Sequence, residues 1–421
     1  MTGSQSVLLS LVAKALFGRT ESIEAIINKC AEGSAANING ESVETIDWSS
    51  VLKEAELQGV VQLVFSAIDS EKNTLGGKQA EWQDSTAADM INSIVVIHTH
   101  RQLHQWMTDA GIPYVILKGC ASAAYYPKPE IRSMGDVDFL VPDEFLDKAD
   151  KLLMDYGLES SYRDHVTHIV YRRNEKNLEM HFDLPGMPKG EIGEVTREYM
   201  ADIFDASVVR DTGSGDMVLP SSFHHGVILL LHTCHHLTGE GVGLRHLCDW
   251  AVFENSFSDA EFRDMFEAKL KRIGLWKFAQ ILTKTAVNYI GAEPREWANC
   301  DEKLAERLID DILSGGNFGS KDWNRSVQTM LISDRGKSGV GKTSMKKEAI
   351  SSANEIVCSH WPKARKNKLL LPVGWVYFGG RRFFRELAGK KEKTTVKAVV
   401  KGAAERRELY KQFDIFVRES Q

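Results

Sequence analysis

The stretch from Tyr114 to Val141 limits the possible folds more than any other part of the chain. Residues 115–117 (Val-Ile-Leu) favour a β-strand and lead into Gly119, a residue that permits a tight turn. A short helix follows, and then a second apolar strand that carries Asp136 and Asp138. Side chains two apart on a strand point to the same face, so two carboxylates project together beside a glycine turn. This arrangement suits a divalent cation with a phosphate group nearby.

A later strand can add a third carboxylate to this pair. From Asn177 to Leu184, apolar residues alternate with polar ones, which is the pattern of a half-buried strand. Glu179, His181 and Asp183 therefore share the polar face, and either acid can join the two aspartates. His181 can orient a metal ligand, act as a base for an acceptor hydroxyl, or simply face solvent. Both His181 and Asp183 are candidates for the acceptor side of a site.

Three carboxylates near a glycine turn are typical of a two-metal site. Two Mg²⁺ ions about 3.5–4 Å apart can activate an attacking oxygen and stabilise a leaving pyrophosphate. Mg²⁺ prefers oxygen ligands and shares them with substrate phosphates, so few protein ligands suffice. We expect two Mg²⁺ ions, with Mn²⁺ as the alternative ion.

Five residues around the turn are candidates for binding the phosphates of a nucleoside triphosphate (NTP). Gly119 lets backbone N–H groups approach a phosphate, and the helix that follows directs its positive end there. Lys118 and Arg132 can neutralise the triphosphate, for which the arginine fork is especially well suited. The hydroxyl groups of Ser122 and Ser133 are further candidate donors.

The length and composition are typical of a soluble protein with several domains. With 421 residues, of which 43% are hydrophobic and 26% charged, the chain is expected to form two or three domains. The six cysteines have no framework spacing, which favours a reducing compartment. The N-terminal apolar run lacks the features of a signal peptide, and no apolar stretch approaches the roughly 20 residues of a spanning helix. We therefore expect a cytoplasmic protein without a membrane span.

The hydrophobic periodicity divides the chain into four parts around a small sheet. Residues 1–111 follow a helical pattern, residues 112–215 alternate strands with helices, and residues 216–330 are helical again. Residues 331–421 are basic and mostly helical, since 21 Lys and Arg stand against 8 Asp and Glu from residue 335 onwards. The predicted fold class is α+β, with a small mixed β-sheet core flanked by N- and C-terminal helical domains.

Residues 113–184 resemble the nucleotidyltransferases of the DNA polymerase β-like superfamily, which share a glycine turn, an Asp-x-Asp strand and an acidic residue on a later strand. More narrowly, most of the chain is similar to a bacterial branch of uncharacterised nucleotidyltransferases. The similarity lies in Leu117-Lys-Gly119, Arg132-x-Met-x-Asp-x-Asp138, Glu179-x-His181, Leu230-Leu-His232, Gly243-Leu-Arg-His-Leu-Cys-Asp-Trp250, Asp47-Trp-x-x-Val and Leu371-Pro-Val-Gly-Trp375.

The resemblance implies Mg²⁺-dependent transfer of a nucleotidyl group from an NTP to an acceptor, with release of pyrophosphate. It also implies that Asp136, Asp138 and Glu179 hold the metal ions, since Glu179 matches the family's acidic position between apolar residues. The acceptor stays open and can be a small-molecule hydroxyl, a tRNA or a protein. In one respect the chain departs from the superfamily: Cys120 and Ala121 follow the turn, where Ser or a second Gly is usual.

Histidines and cysteines crowd residues 224–248 and raise the question of a zinc site. His232 and His236 are four apart on one helix face, a spacing that metal ligands use. No HExxH or CxxC pattern accompanies them, however. We favour the interpretation that His232, Arg245 and Asp249 line a groove between the helical domain and the sheet, on the acceptor side. Arg245 and Asp249 can also simply pair with each other at i, i+4.

Two other features allow different functions. Gly336-Lys-Ser-Gly-Val-Gly341-Lys342-Thr343 matches the phosphate loop GxxxxGK[ST], but it lacks an apolar strand before it and a nucleotide-binding domain after it. The basic C-terminal region is interleaved with aromatic residues and can bind RNA. The alternatives to a nucleotidyltransferase are therefore a catalytically inactive nucleotide- or RNA-binding module and, less favoured, a P-loop NTPase.

Overall fold

The structure, a computed structural model, describes residues 1–19, 21–33, 46–68, 77–162, 167–173, 176–212, 215–322, 367–377 and 396–418, together with residues 75, 325, 328, 354, 357 and 361. The glycine–lysine stretch at 336–343 and most of the basic C-terminal region lie outside these residues. None of the helices in the described ranges combines the length and the apolar character needed to span a membrane.

Among the described residues, the N-terminal part forms helices α1 (Gly3–Phe17), α2 (Ile23–Gly33), α3 (Trp48–Gln58) and α4 (Val61–Ile68), in agreement with its predicted helical pattern. Thr2 fixes the start of α1, because its side chain accepts a hydrogen bond from the N–H of Gln5. Asp47 is the N-cap of α3, since its carboxylate accepts a hydrogen bond from the N–H of Ser49. These oxygens satisfy N–H groups that have no partner inside the helix.

The hydrophobic periodicity predicts a helix from Met90 to Ala110, but the long helix α5 (Gln79–Asp109) begins well before Met90. The first turns of α5 are polar and carry no amphipathic pattern. Trp82 provides the anchor there: it is fully buried, lies edge-on to Trp48 and donates its indole N–H to the Trp48 carbonyl oxygen. Tertiary packing therefore extends this helix beyond its amphipathic part.

Within the part of the chain that the structure describes, five strands form the predicted small mixed sheet. In spatial order they are β1 (Val115–Ile116), β2 (Val137–Leu140), β5 (Lys176–His181), β4 (His168–Arg173) and β3 (Glu159–Tyr162). β2 and β5 run parallel, and every other neighbouring pair is antiparallel. The four-residue helix α6 (Cys120–Ala123) follows β1, and α7 (Leu146–Asp155) follows β2 after a 3₁₀ turn. The predicted α+β fold class is confirmed.

A helix and a hairpin follow the sheet, at positions that no individual motif of the sequence predicts. The helix is α8 (Gly190–Met200), and the hairpin pairs β6 (Val208–Asp211) with β7 (Asp216–Leu219) in antiparallel fashion. β6 is exposed along its whole length. It therefore lacks the alternation of buried and exposed side chains that reveals a strand in a sequence.

The second helical part consists of α9 (Ser222–Thr238), α10 (Leu244–Glu254), α11 (Asp259–Ile273), α12 (Trp276–Ile290) and α13 (Glu302–Gly315). All five helices lie in the segment that the hydrophobic periodicity predicts to be helical. Further along the chain, residues 370–377 and Val396–Gln412 are helical.

Two hydrophobic cores hold these elements together. The larger core joins α1–α4 to α9–α13, and the smaller one lies between α5, α7 and one face of the sheet, where Phe139 and Met180 are buried. Asp138 and Leu140 project from the opposite face, and Leu140 joins the larger core. The sheet therefore turns its acidic face toward the second helical part. The domain boundaries at residues 111, 215 and 330 stay predictions.

Gly226 of α9 tests how tightly the larger core is packed. A Cβ atom at this position would lie 2.5 Å from Phe266 Cζ and 2.9 Å from Phe253 Cε1. We expect Gly226→Ala to lower the free energy of unfolding by about 1–3 kcal/mol in urea denaturation, despite the higher helix propensity of alanine. The control is Gly3→Ala in α1, where no atom lies within 4 Å of the added Cβ. A Gly226→Ala protein as stable as the wild type would contradict this prediction.

Candidate active site

The parallel pairing of β2 with β5 brings the predicted acidic residues together. Asp138 lies beside Glu179 in this register, and aligned residues of neighbouring strands project from the same face. Asp136 immediately precedes β2 and is exposed overall. Partial burial of its carboxyl group raises its pKa, and the negative charges of Glu179 and Asp138 raise this pKa further. The three carboxylates are therefore close enough to repel one another.

Asp138 is buried and is held by two donors. The ammonium of Lys118 lies 2.9 Å from its Oδ1, and Nε2 of His181 donates to the same oxygen at 3.1 Å. Burial acts against the ionisation of Asp138, but Lys118 and His181 outweigh this effect and hold its pKa well below the usual range. Asp138 is therefore a carboxylate at any physiological pH.

Two histidines lie beside Glu179. Nε2 of His181 is 3.6 Å and Nε2 of His168 is 3.8 Å from Oε2 of Glu179, and the three side chains are close enough to share one metal ion. Burial acts to lower the pKa of His181, but its hydrogen bonds to Asp138 and Glu179 raise this pKa overall. The sequence analysis missed His168, because only the β4–β5 register places it opposite His181.

Asp183, the alternative third carboxylate, lies past the end of β5. Its Oδ1 accepts the N–H of Leu184, and its Oδ2 is 3.5 Å from the exposed guanidinium of Arg197. Glu179, by contrast, lies next to Asp138 within the sheet. The geometry therefore favours Glu179 as the third acidic residue.

Gly119 makes the predicted tight turn after β1. Its φ of 63° lies in the left-handed region that favours glycine. A Cβ atom there would also lie 3.2 Å from Nε2 of His100, a buried residue of α5 whose ring nitrogens have no hydrogen-bond partner among the described residues. Burial lowers the pKa of His100 to about 4, so the ring is neutral at physiological pH. The sequence analysis missed this neighbour, because a single histidine on a helix carries no signal of what it contacts.

The two predicted serine contacts are both enclosed by protein. Ser122 is buried in α6, and its hydroxyl has no hydrogen-bond partner within the described ranges. Ser133 is buried as well and donates to Oδ2 of Asp89 at 2.5 Å. The positive helix end expected after Gly119 is weak, because α6 has only four residues. Neither hydroxyl is exposed at the surface of the site.

Arg132, a predicted phosphate ligand, forms a buried ion pair with Asp249. Its Nε and Nη2 each donate to one carboxylate oxygen at 2.7 Å, and Tyr126 donates its hydroxyl to Asp249 at 2.8 Å. Burial acts to raise the pKa of Asp249, but the charge and hydrogen bonds of Arg132 outweigh it and lower this pKa. Because Arg132 and Tyr126 take the carboxylate, the expected i, i+4 pair between Arg245 and Asp249 does not form.

Arg245 is directed toward the acidic strand. Its Nη1 lies 3.9 Å from the position that a Cβ atom of Gly135 would take, next to Asp136. Its guanidinium lies over the ring of Phe318, 5.5 Å from the centroid. Within the part of the chain that the structure describes, Arg245 has no carboxylate partner. It therefore presents a positive charge beside the three carboxylates.

His232, predicted to line the groove, contacts Lys118. Lys118 Nζ donates to Nε2 of His232 at 3.1 Å, so the sheet and the second helical part meet at this ammonium. Nε2 of His236 lies 2.9 Å from Nε2 of His232, and His246 of α10 completes a cluster of three imidazoles. Burial is the main cause that lowers the pKa of each, to about 3 for His246. All three rings are neutral at physiological pH.

One protein-family model, described as "Uncharacterised nucleotidyltransferase", matches residues 44–291. This range is more than half of the chain and contains the glycine turn, the three carboxylates and the three imidazoles. The chain belongs to this nucleotidyltransferase family. The narrower resemblance, to uncharacterised nucleotidyltransferases, is thereby confirmed. No curated protein matches the sequence.

The Arg132–Asp249 pair predicts a large stability effect. Asp249→Asn leaves the buried guanidinium without its counter-ion, so we expect the free energy of unfolding at pH 7 to fall by about 3–5 kcal/mol in urea denaturation. The control is Glu267→Gln, which breaks the more exposed pairs with Arg263 and Lys271 on α11 and should cost much less stability. Similar losses in the two variants would show that the pair is not buried as described.

His225 of α9 leads to a prediction about stability in acid. Its buried ring stacks on Tyr125 with 5.3 Å between centroids, and neither nitrogen has a hydrogen-bond partner among the described residues. Burial lowers its pKa to about 3, whereas an unfolded histidine titrates near 6.5. The unfolded state therefore takes up a proton at a pH where the folded state does not. Burial of the neutral His225 ring therefore favours the folded state fully above about pH 6.5, and this stabilisation is lost as the pH falls toward about 3.

His225→Phe keeps an aromatic ring and removes the titrating group. Between pH 7 and pH 4, the wild type should lose on the order of 2–3 kcal/mol more stability than this variant, measured by urea denaturation across that range. The control is His98→Asn at an exposed position of α5, which should keep the pH dependence of the wild type. Parallel pH profiles for the wild type and His225→Phe would contradict the prediction.

Proposed function

We propose that this chain moves an NMP group from an NTP, such as ATP, to an acceptor and releases pyrophosphate. In this reaction the acceptor oxygen forms a bond to the α-phosphorus, and the bond from that phosphorus to the bridging oxygen of the β-phosphate breaks. The family match supports the class of reaction. The acceptor is a small-molecule hydroxyl, a tRNA or a protein side chain, all of which this chemistry allows.

The convergence of three carboxylates is the observation that carries the proposal. Asp138 and Glu179 are neighbours across two parallel strands, and Asp136 is close enough for their charges to raise its pKa. Carboxylates held this close together repel one another unless a cation offsets their charge. Lys118 supplies one positive charge at Asp138, which leaves the group with a net negative charge.

The donor set fits Mg²⁺ or Mn²⁺. Asp136, Asp138 and Glu179 offer the carboxylate oxygens that Mg²⁺ prefers, and the imidazole of His168 suits Mn²⁺ in addition. Lys118 and His181 both donate to Oδ1 of Asp138, which leaves Oδ2 for a cation. We propose the three carboxylates as the metal ligands. The bound ions would polarise the phosphoryl oxygens and stabilise the leaving pyrophosphate.

Three further residues, His181, Lys118 and Gly119, orient the Asp138 carboxylate, offset its charge and shape the adjacent backbone. The hydrogen bond from His181 fixes the orientation of the Asp138 carboxylate, as residues behind metal ligands commonly do. Lys118 offsets the charge of Asp138 and is itself a candidate phosphate ligand, since a lysine can move its ammonium over several ångström. Gly119 turns the chain in a conformation that other residues resist, which brings the backbone close to the phosphate position.

Asp138→Asn tests the proposal. Loss of this negative charge should reduce transfer at least about 10³-fold, which corresponds to the several kcal/mol that a metal ion contributes. The measurement is incubation with Mg²⁺, each α-labelled NTP and a cell extract, followed by detection of the labelled product and of pyrophosphate. The matched control is Asp183→Asn, which should keep the wild-type rate because Asp183 lies next to Arg197, past the strand.

The melting temperatures of both variants are measured alongside, so that a loss of transfer is separated from a loss of folding. Undiminished transfer by Asp138→Asn would rule out the carboxylate site. A wild-type protein that binds NTPs but releases no pyrophosphate with any acceptor in the extract would instead be a catalytically inactive binding module.

A further inference from the structure

A cluster of three histidines lies on the far side of Lys118 from Asp138. We refer to His232, His236 and His246 as the histidine wall. One ring nitrogen of each lies within 4.8 Å of those of the other two. Because Lys118 Nζ is 2.9 Å from Asp138 and 3.1 Å from His232, the wall begins no more than about 6 Å from the acidic site.

The histidine wall lies in positive surroundings. Burial is the main cause of the lowered pKa values of His236 and His246, and the charges of Lys118 and Arg245 lower them further. The Asp249 carboxylate acts in the opposite direction on the pKa of His246, but Arg132 already forms an ion pair with it. Among the residues that the structure describes, neither the wall nor Arg245 forms an ion pair with a carboxylate. Positive charge in partly buried surroundings is costly unless an anion offsets it.

The hydrogen bonds indicate which ring nitrogens carry protons. An ammonium can only donate, so Nε2 of His232 accepts from Lys118, and Nε2 of His236 carries the hydrogen between the two rings. Nδ1 of His246 accepts the N–H of Gly243, so in the neutral ring the hydrogen lies on Nε2. That N–H is buried and has no acceptor in the described part of the chain.

These proton positions favour an anion over a metal ion. A nitrogen that carries a hydrogen cannot bind a metal, and a dication at the wall would be repelled by Lys118 and Arg245. A phosphate chain provides both the acceptor and the negative charge that this site lacks. Its oxygens can accept the unused N–H of His246, and its charge offsets Lys118 and Arg245.

We propose that the histidine wall, Lys118 and Arg245 bind the β- and γ-phosphates of the NTP. This assignment rests on the proposed nucleotidyl transfer, which places the α-phosphate at the three carboxylates. The short distance from Asp138 to His232 then lets the phosphate chain extend from one to the other. Phe318 closes the outer side of this subsite, since its ring packs on His236 and under Arg245.

The test measures phosphate binding without chemistry. Tripolyphosphate, ATP and AMP are titrated calorimetrically into the full chain without divalent metal ions, for the wild type, Arg245→Gln and His246→Phe. Arg245→Gln removes a charge, and His246→Phe removes the N–H but keeps a ring beside Phe318. Each variant should bind tripolyphosphate and ATP about tenfold more weakly or worse, and AMP as the wild type does. The control is Arg263→Gln, which removes an equal charge from α11 and should bind all three ligands normally.

Arg245 is partly exposed, so Arg245→Gln is a usable test even where His246→Phe fails to fold. The inference is overturned by any of these results: no tripolyphosphate binding by the wild type, wild-type affinity in Arg245→Gln, or an equal loss of affinity for AMP. Stoichiometric binding of Zn²⁺ that His236→Asn abolishes would also overturn it, in favour of a metal site.

The outcome is separable from that of the proposed function. Asp138→Asn should abolish transfer and still bind tripolyphosphate at least as tightly as the wild type, because a neighbouring negative charge is removed. A wild-type protein without transfer activity whose tripolyphosphate binding depends on Arg245 would refute the reaction and leave the phosphate site standing. If Arg245→Gln keeps both the transfer activity and the tripolyphosphate binding of the wild type, the phosphate site is refuted and the proposed reaction is not.

Discussion

The ammonium of Lys118 is the contact on which the candidate site depends, because it joins two parts of the chain that are 114 residues apart. On one side it neutralises Asp138 of the sheet, and on the other it donates to His232 of α9. The backbone fixes its position, since the N–H of Leu117 donates to the Asp138 carbonyl oxygen. Its charge lowers the pKa of Asp138 against the effect of burial, and it adds to burial in lowering the pKa of His232. One side chain thus helps to set the protonation of both sides of the cleft.

The position of Glu179 depends in turn on the register between β2 and β5. Side chains alternate between the two faces of a sheet, so a shift by one residue would turn Glu179 and His181 away from Asp138. Leu178 and Met180 oppose such a shift, because they are buried in the smaller hydrophobic core on the other face. Apolar burial on one face of the sheet therefore fixes the geometry of the carboxylates on the other. The same two strands provide both the stability and the site.

How much of this site the sequence predicts depends on the range over which each contact acts. The glycine turn and the alternation of strand residues are local, so the three carboxylates and their common face are predictable. Arg132 shows the limit: its residue type suits phosphate, but its partner Asp249 lies 117 residues away, and no local pattern encodes that pairing. His168 reaches the site only through the strand register. The same holds for the fold, since the early start of α5 depends on the distant packing of Trp82, and exposed β6 has no apolar alternation.

The candidate site has two halves of opposite charge. The acidic half suits a metal ion, and the basic half suits the phosphates of an NTP bound to that ion. The sheet side contributes three carboxylates, whereas α10 contributes Arg245 and the unused N–H of His246. Lys118 lies at the boundary and offsets the charge of Asp138 itself when no metal ion does so. On the proposed function, a cation at Asp138 would weaken that interaction and make the ammonium available to the phosphate chain. Phosphate bound by the ammonium would, in the same way, leave Asp138 free to bind the cation. Metal and nucleotide should therefore each increase the affinity for the other by the same factor, because coupling between two binding equilibria is reciprocal.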